Sequence, residues 1–228
     1  MKKTSYDTIE KYMLTCMTDS AHDCQHIYRV LYYAIDLAID YKAVVDMKVL
    51  IAAALLHDIG RDAQFKDSSC DHALVGGKMA YDFLISAGWD DANAHHVRAA
   101  IETHRYRNDN MPATIEAKIL FDADKLDVTG AVGIARTIAY KGQVAQPMYS
   151  VDMEGQVLPG SDDEPASFFH EYNWKLKKIY DRFYTKKAEK IAKEQQKASE
   201  VFYKSMLEEV ERNHNNGLNQ LKAVLING

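Results

Sequence analysis

Four side chains have the types and spacing to do chemistry together: His26, the adjacent pair His57-Asp58, and Asp124, each at the border of an apolar run. Neutral imidazole and carboxylate ligands suit a divalent transition metal or a magnesium-like ion, and the absence of thiolates points away from a structural zinc site. A metal held this way can lower the pKa of bound water and polarise a phosphoryl oxygen, so the expected chemistry is hydrolytic. His57 shares a helical stripe with Val49 and Ala53, His104 shares one with Val97 and Ile101, and Asp124 follows Leu120 by one turn. All three are therefore expected to face inward. An ionised carboxylate beside an apolar core is costly unless it is paired or ligates a metal, so Asp124 needs a partner.

The elements that must position these groups read as helices throughout. Ser20-Ala-His-Asp23 has the form of a helix start, and Ile27, Val30, Leu31, Ala34, Ile35 and Ala38 recur at helical spacing, predicting a helix over about 21–40. A second helix begins near Asp46 and stops near His57, with Gly60 expected as a left-handed cap. Asp71 opens a third helix that carries Val75, Met79 and Phe83 and ends at Gly88. Asp90 and Asp91 open a fourth, running through Val97 and Ile101. Pro112 and Thr114 precede a further pattern at Ile115, Ile119 and Leu120, and Gly130 to Ala139 supplies another apolar segment. From Lys141 to Glu164 the periodicity lapses among prolines and glycines, which marks a long loop of the kind that is often functional or mobile. Helix returns from Pro165 to about Arg212, aromatic-rich first and then Lys/Glu-rich. The expected class is all-α, a single helical domain over 1–228 with a core at about 20–140 and C-terminal helices at about 165–213.

Composition narrows the function. With 47% hydrophobic residues the chain can bury a substantial core, and 28 basic against 33 acidic residues leave no cationic excess for long nucleic acid. A small phosphorylated substrate stays open, because one bound metal ion reverses the field inside a cleft. Cys16, Cys24 and Cys70 form no C-x-x-C pair, so reduced cytoplasm is the expected location. No export signal is readable near the N-terminus and no run of about 18 apolar residues occurs, so no membrane association is expected.

The arrangement resembles the HD superfamily, whose pattern is a histidine, a His-Asp pair and a distant aspartate around one metal. It matches at His26, at His57-Asp58 in ALLHDIG, and at Asp124 in FDADKLDVTGAVGIAR. With HDCQH at 22–26 and DHALVGG at 71–77, the chain is similar to a bacterial subgroup that includes nucleoside triphosphate pyrophosphohydrolases. The resemblance implies an HD-domain helical bundle and a divalent metal, manganese favoured, with zinc, nickel, cobalt, magnesium or iron as substitutes. It further implies that His72 and His104 either complete a second metal site, as in some relatives, or touch substrate, the latter being favoured. The acidic residue that nucleotide-acting relatives carry after the His-Asp pair falls near Asp62, a candidate for acid/base catalysis alongside His104, while Arg61 stands where glutamate is usual. Arg61, His72 and Lys125 are the candidate phosphate contacts.

The favoured reaction is cleavage of a nucleoside triphosphate to monophosphate and pyrophosphate. A nucleoside monophosphate phosphatase or a phosphodiesterase would use the same ligands, and a sensing module would bind nucleotide or metal without turnover. His22 is read as a cap, His95 and His96 as solvated, the Lys186–Lys197 run as a solvated face, and the aromatic residues around Trp174 as core or as a homodimer contact.

Overall fold

The computed structural model describes residues 1–17, 24–105 and 110–226. The described residues contain no strand, only an isolated antiparallel bridge between Val151 and Val157, so the fold is all-α as expected. The chain divides into two compact units, Met1–Asp127 with Phe183–Ala188, and Val128–Arg182 with the chain from Glu189 onward.

The first unit is built around α3 (Met47–Leu56), in which Val49, Leu50 and every residue from Ala52 to Leu56 are buried. A helix apolar on all sides belongs at the centre of a bundle, and each large aliphatic side chain buried there contributes roughly 1.5–3 kcal/mol. Around it pack α1 (Lys3–Cys16), α2 (Cys24–Ala38), α6 (Asp91–Glu102) and α7 (Ile115–Leu126). Helix starts fall where the sequence places them. Asp46 accepts from Lys48 and Val49 N–H, Asp71 from Ala73 N–H, Asp90 from Asn93 N–H and Thr114 from Ala117 N–H. The start expected at Ser20–Asp23, with His22, lies outside the described residues.

Two local expectations change. Gly60 is not a left-handed cap; it precedes α4 (Arg61–Lys66) with φ −84°. It is glycine because a Cβ there would lie 2.2 Å from the His72 carbonyl oxygen and 2.6 Å from the Gly76 nitrogen. Correspondingly, α5 (His72–Ser86) buries the small face Ala73, Gly76, Gly77 and Ala80 together with Leu84, while Val75, Met79 and Phe83 are half-buried. Small residues on this face let α5 approach the turn after the His-Asp pair and bring His72 with it.

In the second unit, α8 (Gly130–Gln143), α9 (Phe168–Trp174) and α10 (Lys186–Ile226, from Glu189 on) enclose a core of Ile134, Val157, Phe168, Phe169, Tyr172 and Leu176. Trp174 is exposed. The helix expected to end near Arg212 continues to Ile226. The segment between α8 and α9 is held on α10: Tyr203 Oη donates to the Pro159 carbonyl at 2.7 Å, and Val157 N–H donates to Asn215 Oδ1 at 3.1 Å.

Candidate functional site

The site is assembled from five elements of the first unit. His26 stands in the first turn of α2, His57 caps the C-terminus of α3 with Asp58 next to it, His72 opens α5, His104 follows α6, and Asp124 lies in the last turn of α7. Side chains remote in sequence meet here because α2, α3, α6 and α7 converge with these ends together.

The donor atoms fall into two sets that share one carboxylate. In the first, His26 Nε2 lies 3.3 Å from His57 Nε2, 3.5 Å from Asp58 Oδ2 and 3.3 Å from Asp124 Oδ1. His57 Nε2 lies 3.6 Å from Asp58 Oδ2 and 3.9 Å from Asp124 Oδ1. In the second, His72 Nε2 and His104 Nε2 are 3.3 Å apart and stand 3.4 and 3.6 Å from Asp58 Oδ1. Asp58 therefore faces one histidine pair with each oxygen.

The opposite ring nitrogens fix the protonation pattern. His26 Nδ1–H donates to Asp127 Oδ2 at 2.7 Å, His57 Nδ1–H to the Ala54 carbonyl at 2.8 Å and His104 Nδ1–H to the Ile101 carbonyl at 2.6 Å. These partners only accept, so each neutral ring presents an unprotonated Nε2 to the cluster. His72 Nδ1 is held by Gln64 Oε1 at 2.6 Å. Ring nitrogens and carboxylate oxygens thus converge, an arrangement that a cation among them satisfies.

The residues present fit a divalent cation. Tetrahedral ligands about 2.0–2.2 Å from one ion lie roughly 3.3–3.6 Å from each other, and the His26 and His57 Nε2 atoms stand 3.3–3.9 Å from one another and from the two carboxylate oxygens. Imidazole nitrogens with carboxylate oxygens and no thiolate also match the expected metal class. His57, Asp58, His72 and His104 are buried, whereas the Asp124 side chain keeps 24% of its surface exposed. The cluster reaches solvent on the Asp124 side.

The electrostatics express the same demand for positive charge. Burial alone would lower the His26 pKa, but the carboxylates of Asp124, Asp127 and Asp58 outweigh it and raise it to about 10. Burial dominates at His57, lowered to about 4, and at His72, lowered to about 3 with help from the Arg61 cation. Burial opposes ionisation of Asp58, yet Arg61 and the surrounding imidazoles hold its carboxyl well below the usual range.

The other sequence candidates are distributed unevenly. Arg61 joins the cluster, donating from Nε to Asp58 Oδ1 at 2.9 Å. Lys125 is buried beside it with its ammonium 4.5 Å from the Phe121 ring, and burial lowers its pKa to about 8. Asp62 does not join; its carboxylate is half-exposed on α4 and bonds Lys66 Nζ at 2.7 Å. Sequence reasoning missed Asp127 and Gln64, the residues that hold His26 and His72, and Arg29, which binds Asp127 at 2.6 Å. The only available signal was that Asp127, like Asp124, borders the apolar end of α7.

An HD domain family model matches residues 24–129, which span every residue of the cluster. The chain belongs to the HD superfamily of metal-dependent hydrolases. Among its members, the uncharacterized protein YpgQ of Bacillus subtilis strain 168 is 30% identical over 196 residues, which cover 82% of this chain and 85% of that one. The crystal structure of B. subtilis YpgQ in complex with ADP matches with a TM-score of 0.68 at 25% identity, covering 90% of this chain and 97% of that one. An HD-superfamily hydrolase from Bacillus thuringiensis matches with a TM-score of 0.68 at 29% identity, covering 92% and 98%. Among the described residues, no helix is long and apolar enough to cross a membrane.

Proposed function

We propose that the protein hydrolyses the phosphoanhydride bonds of nucleotides, converting nucleoside triphosphates to monophosphates and pyrophosphate, with manganese as the favoured metal. The observation that carries this reading is the convergence of the Nε2 atoms of His26 and His57 with Asp58 Oδ2 and Asp124 Oδ1. The ADP complex of YpgQ supports a nucleotide ligand for a chain of the same family.

In this reading His26, His57, Asp58 and Asp124 hold the ion. When bound, a divalent cation activates water for hydrolysis and neutralises charge on the phosphoryl group. Arg61 is positioned by its bond to Asp58 and, with its side chain 36% exposed, brings a guanidinium charge to the edge of the cluster, where it would attract phosphate. Lys125 supplies a point charge beside Asp124, and His104 and His72 line the same cleft on the Asp58 Oδ1 side. Asp62 would reach substrate only by leaving Lys66, so acid/base work falls to His104 first.

A second reading is favoured by one observation. His72, His104 and Asp58 Oδ1 repeat the donor chemistry of the first set, so these three residues could hold a second cation. Stoichiometry from elemental analysis separates one ion from two.

The test is a nucleotide panel with added manganese in which monophosphate, pyrophosphate and orthophosphate are resolved. Pyrophosphate from triphosphates is the expected result. Orthophosphate from monophosphates would transfer the claim to a phosphatase, and tight binding without turnover would make the chain a sensing module.

A further inference from the structure

The buried carboxylate of Asp127 is used by none of the roles above. It is only 1% exposed, at the residue that ends α7, and its backbone N–H donates to the Asp124 carbonyl at 3.2 Å. Its side chain turns to α2, where Oδ2 takes the His26 Nδ1 proton at 2.7 Å. Arg29, one turn further along α2, grips the same carboxylate with two bonds, Nε to Oδ1 at 2.6 Å and Nη2 to Oδ2 at 3.0 Å.

Such an arrangement is costly for stability alone. A buried carboxylate must be compensated, and a buried ion pair is often no better than apolar packing of the same volume. What this pair achieves is geometry. His26 and Asp124 are ligands on different helices, 98 residues apart in sequence, and Asp127 is bonded to His26 through its side chain while it continues the helix that carries Asp124. The Arg29 fork sets the plane of the carboxylate, the carboxylate sets the rotation of the His26 ring, and the ring then aims Nε2 at the cluster. None of the other described histidines of the cluster has this support: His57 and His104 are held by main-chain carbonyls of their own helices and His72 by an amide.

The geometry points to Asp127 and Arg29 as a two-residue positioning clamp on His26 that sets how tightly the protein retains its metal. This rests on the metal-site reading proposed above.

The test is calorimetric titration of manganese into metal-stripped protein, with melting temperatures measured before metal is added. Asp127→Asn keeps size but offers one acceptor oxygen in place of two and no charge, so it cannot hold both the Arg29 fork and the His26 Nδ1–H, and is expected to raise the manganese Kd roughly 10- to 100-fold, more than any fall in the metal-free melting temperature accounts for. Arg29→Gln, which leaves Asp127 in place, is expected to raise it by a smaller factor. Asp127→Glu, which restores the charge, is expected to recover part of the affinity. If Asp127→Asn fails to fold, Arg29→Gln and Asp127→Glu decide the question.

Wild-type affinity in both Asp127→Asn and Arg29→Gln would overturn the clamp. So would an affinity loss that Asp127→Glu does not relieve and that tracks a lowered metal-free melting temperature. Failure of the wild-type protein to bind manganese would overturn the metal-site reading itself, and is distinguishable because it appears before any variant is compared.

Discussion

His26 Nε2 and His57 Nε2 stand 3.3 Å apart, each on a ring whose other nitrogen already gives its proton to an acceptor. The carboxylates around them raise the His26 pKa to about 10, so the site favours positive charge, which a cation held among these atoms supplies. Asp58 Oδ2 and Asp124 Oδ1 complete the set at 3.5 and 3.3 Å from His26 Nε2.

Nucleotide binding is expected to depend on the metal. In thermal denaturation, a nonhydrolysable triphosphate analogue at about 100 times its Kd should stabilise the manganese-loaded protein by about 2.7 kcal/mol. The same analogue should give no comparable shift after chelation. An equal shift with and without metal would place the nucleotide elsewhere.

Gly60 and Gly142 are expected to respond oppositely to alanine. A Cβ at Gly60 meets backbone atoms of α5 at 2.2 and 2.6 Å, so the helix carrying His72 must move. Gly60→Ala should cost about 1–3 kcal/mol or more and reduce hydrolysis. A Cβ at Gly142 meets nothing within 4 Å, and Gly142→Ala inside α8 should be neutral or stabilise by up to about 1 kcal/mol. Chemical denaturation measures both, and equal effects would contradict the packing described.

Asp122 is expected to matter for stability. Its buried carboxylate accepts from Tyr184 N–H at 2.9 Å, and from Thr185 N–H and Oγ1 at 2.7 Å each, tying the segment Phe183–Ala188 to α7. Asp122→Ala strands those donors and should cost about 2–4 kcal/mol. That corresponds to a fall in melting temperature of roughly 5–15 °C. An unchanged melting temperature would show that water replaces the carboxylate at no cost.

What could be read from the sequence divides by range. Asp46, Asp71, Asp90 and Thr114 act on backbone groups two or three residues away, so a short window suffices to see them as helix starts. His57, His104 and Asp124 could be picked out because histidines and aspartates on apolar stripes are costly without a purpose, whereas His72 entered only through the resemblance to the HD superfamily. Gly60 was misread because a short window cannot distinguish a positive φ from a close approach by α5. Asp127 was missed because its meaning depends on where a side chain lands across 101 residues of chain. Asp62 was a candidate because the resemblance implies an acidic residue after the His-Asp pair, and in the structure it bonds Lys66. The length of α10 was underestimated because Asn215, Asn216 and Gly217 resemble a break, whereas helix continues through them.

Metal binding by the wild-type protein against Asp58→Ala and Asp124→Ala tests the central claim most directly, with elemental analysis and manganese titration run beside pyrophosphate release. Removing either ligand is expected to weaken metal binding by more than roughly 100-fold, beyond the effect of a supporting residue, and to abolish hydrolysis while the helical fold persists. Folded variants that keep both metal content and hydrolysis at wild-type levels would contradict the site.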